Sequence, residues 1–207
     1  MFAKFLNLNP DKQTRIINAA MKEFAQKGFD NASTNEIVKE AEIAKGLLFH
    51  YFKNKQQLFL FAYDYGSELI LNDFYQKFDA TEPDFFARLR QISRLKLEIL
   101  QQFPDMFHFL EVAYIDTSKV VSDELEQRKQ QLIDSNLGKL FKGIDLSLFK
   151  DGVDITRIIQ IMMWTFEGYN RDALKKAKLT PGVPINYESF FAEAAAYIEF
   201  FKTSFYK

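Results

Sequence analysis

The chain has 207 residues, 47% of them hydrophobic, which suffices for the core of one ordinary domain or two small ones. It has no cysteine and only two histidines, His50 and His108. Disulfides, thiolate metal sites and cysteine nucleophiles are excluded, and a zinc site or serine–histidine triad would have to be built almost entirely from other residues. Net charge is −1, but residues 1–60 carry nine bases against six acids while residues 61–207 carry 18 against 22, so a basic head precedes an acidic body.

The 23 Phe and 9 Tyr stand against only 8 Gly and 5 Pro. The glycines and prolines fall at helix boundaries rather than hairpin spacing, which predicts an all-α fold. The opening Met1-Phe2-Ala3-Lys4-Phe5-Leu6 lacks the sustained apolar region of a secretory signal, and no apolar run reaches the length of a membrane span. A cytoplasmic protein with no membrane association is expected.

Asn9-Pro10-Asp11 opens the first predicted helix with a cap, a proline at the first helical position and an acid for the dipole. Ile16, Ala20 and Phe24 recur along it at four-residue spacing, and Gly28 ends it. Ser33-Thr34-Asn35-Glu36 reads as a capping box, with Ser33 capping and Glu36 reaching back. It starts a helix of about eight residues with Ile37, Val38 and Ala41 on its apolar face. A short third helix through Leu47, Leu48 and Phe49 ends near Phe52-Lys53-Asn54, and Lys55 starts a longer one running to about Phe78. Five more are predicted at roughly 83–102, 104–116, 120–142, 153–178 and 186–206, with Pro104 and the Pro181–Pro184 stretch as separators.

Three short helices in about fifty residues, the second and third joined by a tight turn, are the layout of a helix-turn-helix DNA reader. The specific signal is the run from Ala41 to Leu58, AEIAKGLLFHYFKNKQQL, which holds three lysines between Lys45 and Lys55 and no acid there. A reading helix needs its N-terminal residues at base edges, which assigns Lys45, Gly46 and Leu47 to the major groove, with Gly46 permitting close approach. Thr34 and Asn35, at the start of the preceding helix, are placed to bond phosphate. Tyr51 and Lys55 supply a phenol and an ammonium for phosphates, while Leu48, Phe52 and Leu58 form the packing side. His50 reads as a partly exposed residue of the reading helix, and His108, set among Phe107 and Phe109, as a core histidine.

Together with Ala19-Ala20 to Phe24, Gly28-Phe29 and Ser33 to Ile37, this run resembles the N-terminal domain of the TetR (tetracycline repressor) family of transcriptional regulators over about residues 10–60. The resemblance implies about nine helices. A helix-turn-helix DNA-binding domain would cover 1–54, and a helical effector-binding and dimerisation domain 55–207. It adds Phe49 to the DNA-facing set, with neither enzymatic activity nor cofactor. Relatives commonly carry Ser, Thr and Tyr where this chain has Ala44, Leu47 and Phe49, and a turn glycine where it has Glu42. Ala44 cannot cap the reading helix, a loss of about 0.5–2 kcal/mol, and Glu42 brings a negative charge beside DNA. Weaker operator affinity or an unusual sequence preference is expected.

In the helix at about 153–178, Ile155, Ile159, Met162, Phe166, Tyr169 and Ala173 form one apolar stripe, and Ile158, Ile161, Thr165 and Leu174 sketch a second. The final helix is likewise two-sided. The resemblance implies that these last two helices pair with their copies in a homodimer, whose two-fold symmetry predicts a palindromic duplex operator. Phe103, Phe107, Leu110 and Tyr114, with Met163, Trp164 and Phe166, are the candidate lining for a small hydrophobic or aromatic effector. Glu167 and Asn170, and also Asn136 and Arg94, are candidates for its polar contacts. A repressor released by that effector is the expected function. An activator with the same head, and a helical small-molecule-binding protein or enzyme that has lost operator binding, are the alternatives. No nucleophile–base pair, phosphate loop or metal spacing supports the enzymatic one.

Overall fold

The computed structural model describes residues 2–116, 118–179 and 185–207. Among them are ten α-helices and no sheet: α1 (Ala3–Leu6), α2 (Pro10–Asn31), α3 (Thr34–Glu40), α4 (Lys45–Phe52), α5 (Lys55–Lys77), α6 (Phe85–Gln102), α7 (Pro104–Tyr114), α8 (Ser122–Phe141), α9 (Ile155–Leu179) and α10 (Tyr187–Phe205). The helices expected from spacing are all present, and α1 is an addition. Asn9 caps α2 by accepting a hydrogen bond from the Asp11 N–H at 2.9 Å. Helical geometry breaks at Gly28, whose φ of 68° lies in the left-handed region that favours glycine.

Two expectations are corrected. The Ser33 side chain makes no cap bond to α3. Its backbone N–H instead donates to Oε1 of Glu23, a buried carboxylate ten residues earlier, at 2.8 Å, so a partner on α2 replaces the local capping box. His108 is not a core residue: its side chain is 58% exposed and lies 4.0 Å from Glu111. On α7 the neighbouring Phe109, with Ala113 four residues on, takes the buried face. One step of 100° along the helix turns His108 away from it.

The chain divides into two compact units. The first comprises Met1–Asp73 with Gln102–Leu132, and therefore α1 to α4, α7 and parts of α5 and α8. Here α2 packs against α7 and α3, and α4 packs against α1 and α3. Phe5, Phe24, Phe52, Phe59 and Phe109 are fully buried. Phe59 meets Phe24 edge-on at 4.8 Å and Phe109 at 5.5 Å between ring centres, the geometry preferred by aromatic quadrupoles.

The second unit comprises Phe74–Gln101 with Ile133–Lys207. Phe85, Phe86, Phe149, Ile158, Met162, Ile198 and Phe201 form its core. Arg88 is 1% exposed yet has no need of a carboxylate. Its guanidinium donates to the carbonyls of Ala80, Glu82, Leu140 and Lys142, joining the segment before α6 to the end of α8. Helices α9 and α10 pair through Tyr169, whose ring stacks on Phe190 at 4.7 Å.

Candidate nucleic-acid interface

Helix α4 presents two different faces. Leu48, Tyr51 and Phe52 are buried, whereas Lys45, Gly46, Leu47 and His50 are exposed and Phe49 is half-buried. The spacing of the exposed positions keeps them on one side of an eight-residue helix, and Lys53 continues that side at its C-terminal end. A methyl group built on Gly46 would meet nothing within 4 Å. The fold therefore has no internal use for a glycine that costs a helix about 1 kcal/mol relative to alanine. As expected, Ala44 provides no side-chain cap.

Thr34 and Asn35 open α3, half-buried and exposed respectively. The turn between α3 and α4 places Glu42 at φ 53°, so a turn position suited to glycine is held by an acid. Arg15 lies against this corner, donating to the Ala41 carbonyl at 2.8 Å and standing 3.4 Å from the Glu42 carboxylate. The negative charge beside the reading helix is thus partly neutralised from α2.

Tyr51 and Lys55 are more deeply engaged than their residue types suggest. Tyr51 is 9% exposed, its ring 6.3 Å from Phe5 and 6.4 Å from Phe52. The Lys55 ammonium donates to the carbonyls of Asp30 (3.0 Å) and Ala32 (3.2 Å) and lies 4.7 Å from the Phe29 ring centre. Two of its three donors serve the corner between α2 and α3.

The nine basic residues of the head fall into two groups. Arg15, Lys22 and Lys27 pair with Glu42, Glu40 and Glu23, and Lys55 is bound to carbonyls. The Lys22–Glu40 contact, at 2.7 Å, raises the lysine pKa and lowers that of the glutamate through their hydrogen bond and opposite charges. Lys4, Lys12, Lys39, Lys45 and Lys53 form no ion pair among the described residues. Of this second group only Lys45 is expected at the DNA from the sequence; Lys22 and Lys55 are engaged by groups that only packing brings to them, whereas Lys27 pairs within its own helix.

The expected effector residues fall in both units. Phe103, Phe107, Leu110 and Tyr114 belong to α7 and its N-terminal cap in the first. There Leu110 packs against the core, and the Lys129 ammonium sits 4.6 Å from the Tyr114 ring centre. Met163, Trp164, Phe166, Glu167 and Asn170 lie on α9 in the second. Phe166 packs on the core, Asn170 is half-buried, and Glu167 pairs with Arg171 at 2.9 Å. Met163 and Trp164 are on the surface of that unit, Trp164 at 63% exposure. Of the further polar candidates, Asn136 accepts a hydrogen bond from the Tyr75 hydroxyl at 2.8 Å and Arg94 lies 3.6 Å from Glu98.

Comparison with known proteins bears on the head directly. Residues 16–61 match the family model described as bacterial regulatory proteins, tetR family. The HTH-type transcriptional regulator RutR of Escherichia coli K12 is 24% identical over 190 residues, 91% of this chain and 87% of that protein. The fatty acid metabolism regulator protein of Bacillus subtilis is 24% identical over 162 residues, 75% of this chain and 80% of its own length. Among solved structures, a TetR family transcriptional regulator from Chloroflexus aurantiacus superposes with a TM-score of 0.65 at 19% identity, covering 99% of this chain and 98% of that one. A transcriptional regulator from Cytophaga hutchinsonii gives 0.67 at 21%, covering 95% and 99%. The helix-turn-helix head with its exposed basic face thus resembles that of the tetR family of bacterial regulatory proteins over residues 16–61, and the all-α chain shares the fold of DNA-binding regulators of transcription along nearly its whole length.

Proposed function

We propose that the protein is a homodimeric cytoplasmic repressor that binds a palindromic operator and leaves it when a small hydrophobic effector occupies the helical body. The functional division would fall near residue 54, with α1 to α4 reading DNA and residues 55–207 serving effector binding and dimerisation. The observation that carries the DNA half is the exposed face of α4, where Lys45 is unpaired among the described residues and Gly46 has open space before it. Lys45, Gly46, Leu47 and His50 would enter the major groove, with Thr34, Asn35, Phe49, Tyr51 and Lys55 at its phosphate margins.

For the dimer, support comes from apolar surface left open on the last two helices. Ile161 and Trp164 on α9 and Phe200 on α10 are large hydrophobics at 43%, 63% and 64% exposure, beside the small exposed Ala192 and Ala196. Such a face is suited to a self-complementary contact. In that arrangement Met163 and Trp164 serve the partner rather than the effector. The effector contacts then centre on Phe103, Phe107 and Tyr114 of α7 and its N-terminal cap. The relation to a fatty acid metabolism regulator favours an effector with an acyl chain. Release requires that the effector bind the DNA-incompetent conformation more tightly than the competent one.

The test is binding to the DNA upstream of the protein's own gene, titrated across a salt series. Specific binding at nanomolar concentration, falling steeply with salt and weakened by Lys45→Ala, is expected. Affinity no greater than for random duplex would refute the repressor reading.

A further inference from the structure

The short N-terminal helix α1 is built into the reading head, although none of the DNA contacts proposed for the head lies on it. Phe5 is fully buried, its ring centre 4.9 Å from Phe52 and 5.2 Å from Phe61. Phe2 meets Phe61 edge-on at 4.6 Å. The amide of Gln13 on α2 donates to the carbonyls of Leu6 (3.0 Å) and Leu8 (2.8 Å), fixing the segment that follows. Four residues cannot hold a helix by their own hydrogen bonds. This one is held by aromatic packing against the C-terminal end of α4.

That packing sets charge beside α4. Lys4 precedes the buried Phe5 and is exposed; Lys53 follows the buried Phe52 and is exposed. Because the two phenylalanine rings are in contact, the two lysines flank a single aromatic joint. Neither forms an ion pair among the described residues. Two unneutralised ammonium groups at the C-terminal end of a helix whose other end carries the base-facing residues are suited to the phosphates bordering the groove.

We propose that α1 is part of the DNA-binding surface, with Lys4 and Lys53 contacting backbone phosphates at the C-terminal end of the reading helix. The proposal rests on the reading of α4 as the DNA-facing helix. Phosphate contacts are independent of sequence, so a random-sequence duplex of about 30 bp serves as the probe.

Binding of the full chain and of Lys4→Gln, Lys53→Gln, the double variant and Lys45→Ala is followed by fluorescence anisotropy across a salt series. Each glutamine variant should lower the slope of log K against log salt by about 0.9 and weaken binding about five- to tenfold near 0.1 M salt. The double variant should lose about twice that slope, and Lys4→Arg should restore wild-type binding. Unaltered unfolding temperatures establish that the head is intact. Wild-type slopes in Lys4→Gln, with Lys45→Ala impaired, would overturn the role of α1 and leave the DNA-binding reading standing. Failure of the wild type to bind any duplex would overturn both.

Discussion

Glu42 shows how a single side chain can work against both the fold and its function. At φ 53° it occupies a conformation that costs a residue with a Cβ about 1–2 kcal/mol, and its carboxylate stands next to the helix assigned to DNA. Arg15 offsets part of this, but the two side chains are 45% and 76% exposed, and a pair so open to water contributes about 0–1 kcal/mol. Glu42→Gly should therefore raise stability by about 0.5–1 kcal/mol, and should tighten DNA binding because a negative charge is removed and Arg15 is released toward phosphate. Thermal unfolding and a duplex titration at fixed salt check the two effects separately; weaker binding by the glycine variant would mean that Glu42 orients α4 rather than opposing it. Lys55 is the converse case. Two carbonyls and an aromatic ring hold its ammonium at the corner between α2 and α3, so it does structural work there and keeps one donor for the phosphate contact proposed for it.

Helix termini separate what the sequence revealed from what it could not. Interiors and stops were readable because proline and glycine act locally: Pro10 begins α2, Gly28 breaks it, and Pro104 begins α7. The cap of α3 was not readable, since Glu23 reaches it only after α2 and α3 have packed. The same holds for α1, which exists through contacts with α4 and α5, and for the side of α7 on which His108 falls. The α3 terminus gives a direct test: Ser33→Ala should change stability by less than about 0.5 kcal/mol, whereas Glu23→Ala should cost about 1–3 kcal/mol by stranding a part-buried N–H. Denaturant titrations of the two variants would show the reverse order if a capping box operated. Helix α6 is capped conventionally, by Asp84 accepting from the N–H groups of Phe86 (2.8 Å) and Ala87 (3.0 Å) and from the Tyr206 hydroxyl at 3.0 Å. Burial works to raise the Asp84 pKa, but these hydrogen bonds and the charge of Lys202 outweigh it and leave the carboxyl below its ordinary value. A carboxylate lowered in the folded state adds stability above the ordinary aspartate range and loses it as pH falls through the folded value. Asp84→Asn, which keeps an acceptor without the charge, should be less stable than wild type at pH 7, and the difference should close below about pH 4. A gap independent of pH would show that the charge contributes nothing.

For the whole molecule, the opposed charges of head and body explain how a chain of net charge −1 can bind DNA: the average conceals a basic surplus confined to the first 60 residues. The proposed binding at two half-sites would depend on assembly, and the single tryptophan reports on it. Trp164 is 63% exposed in the isolated chain and sits on the face of α9 assigned to the partner. In the proposed dimer its indole leaves water, so emission should lie toward the blue and acrylamide should quench it weakly. Phe200→Glu places a charge on the neighbouring open face, where pairing would bury it without a partner. The variant should sediment as a monomer, shift Trp164 emission to the red and raise its quenching severalfold, with unfolding still cooperative. Operator affinity should fall by about 10²-fold or more, because two linked heads act at an effective concentration that separate heads lack. Trp164 quenched as readily as free indole in wild-type protein, together with a monomeric sedimentation coefficient at about 100 µM, would remove α9 and α10 from the interface and return Trp164 to the candidates for effector binding.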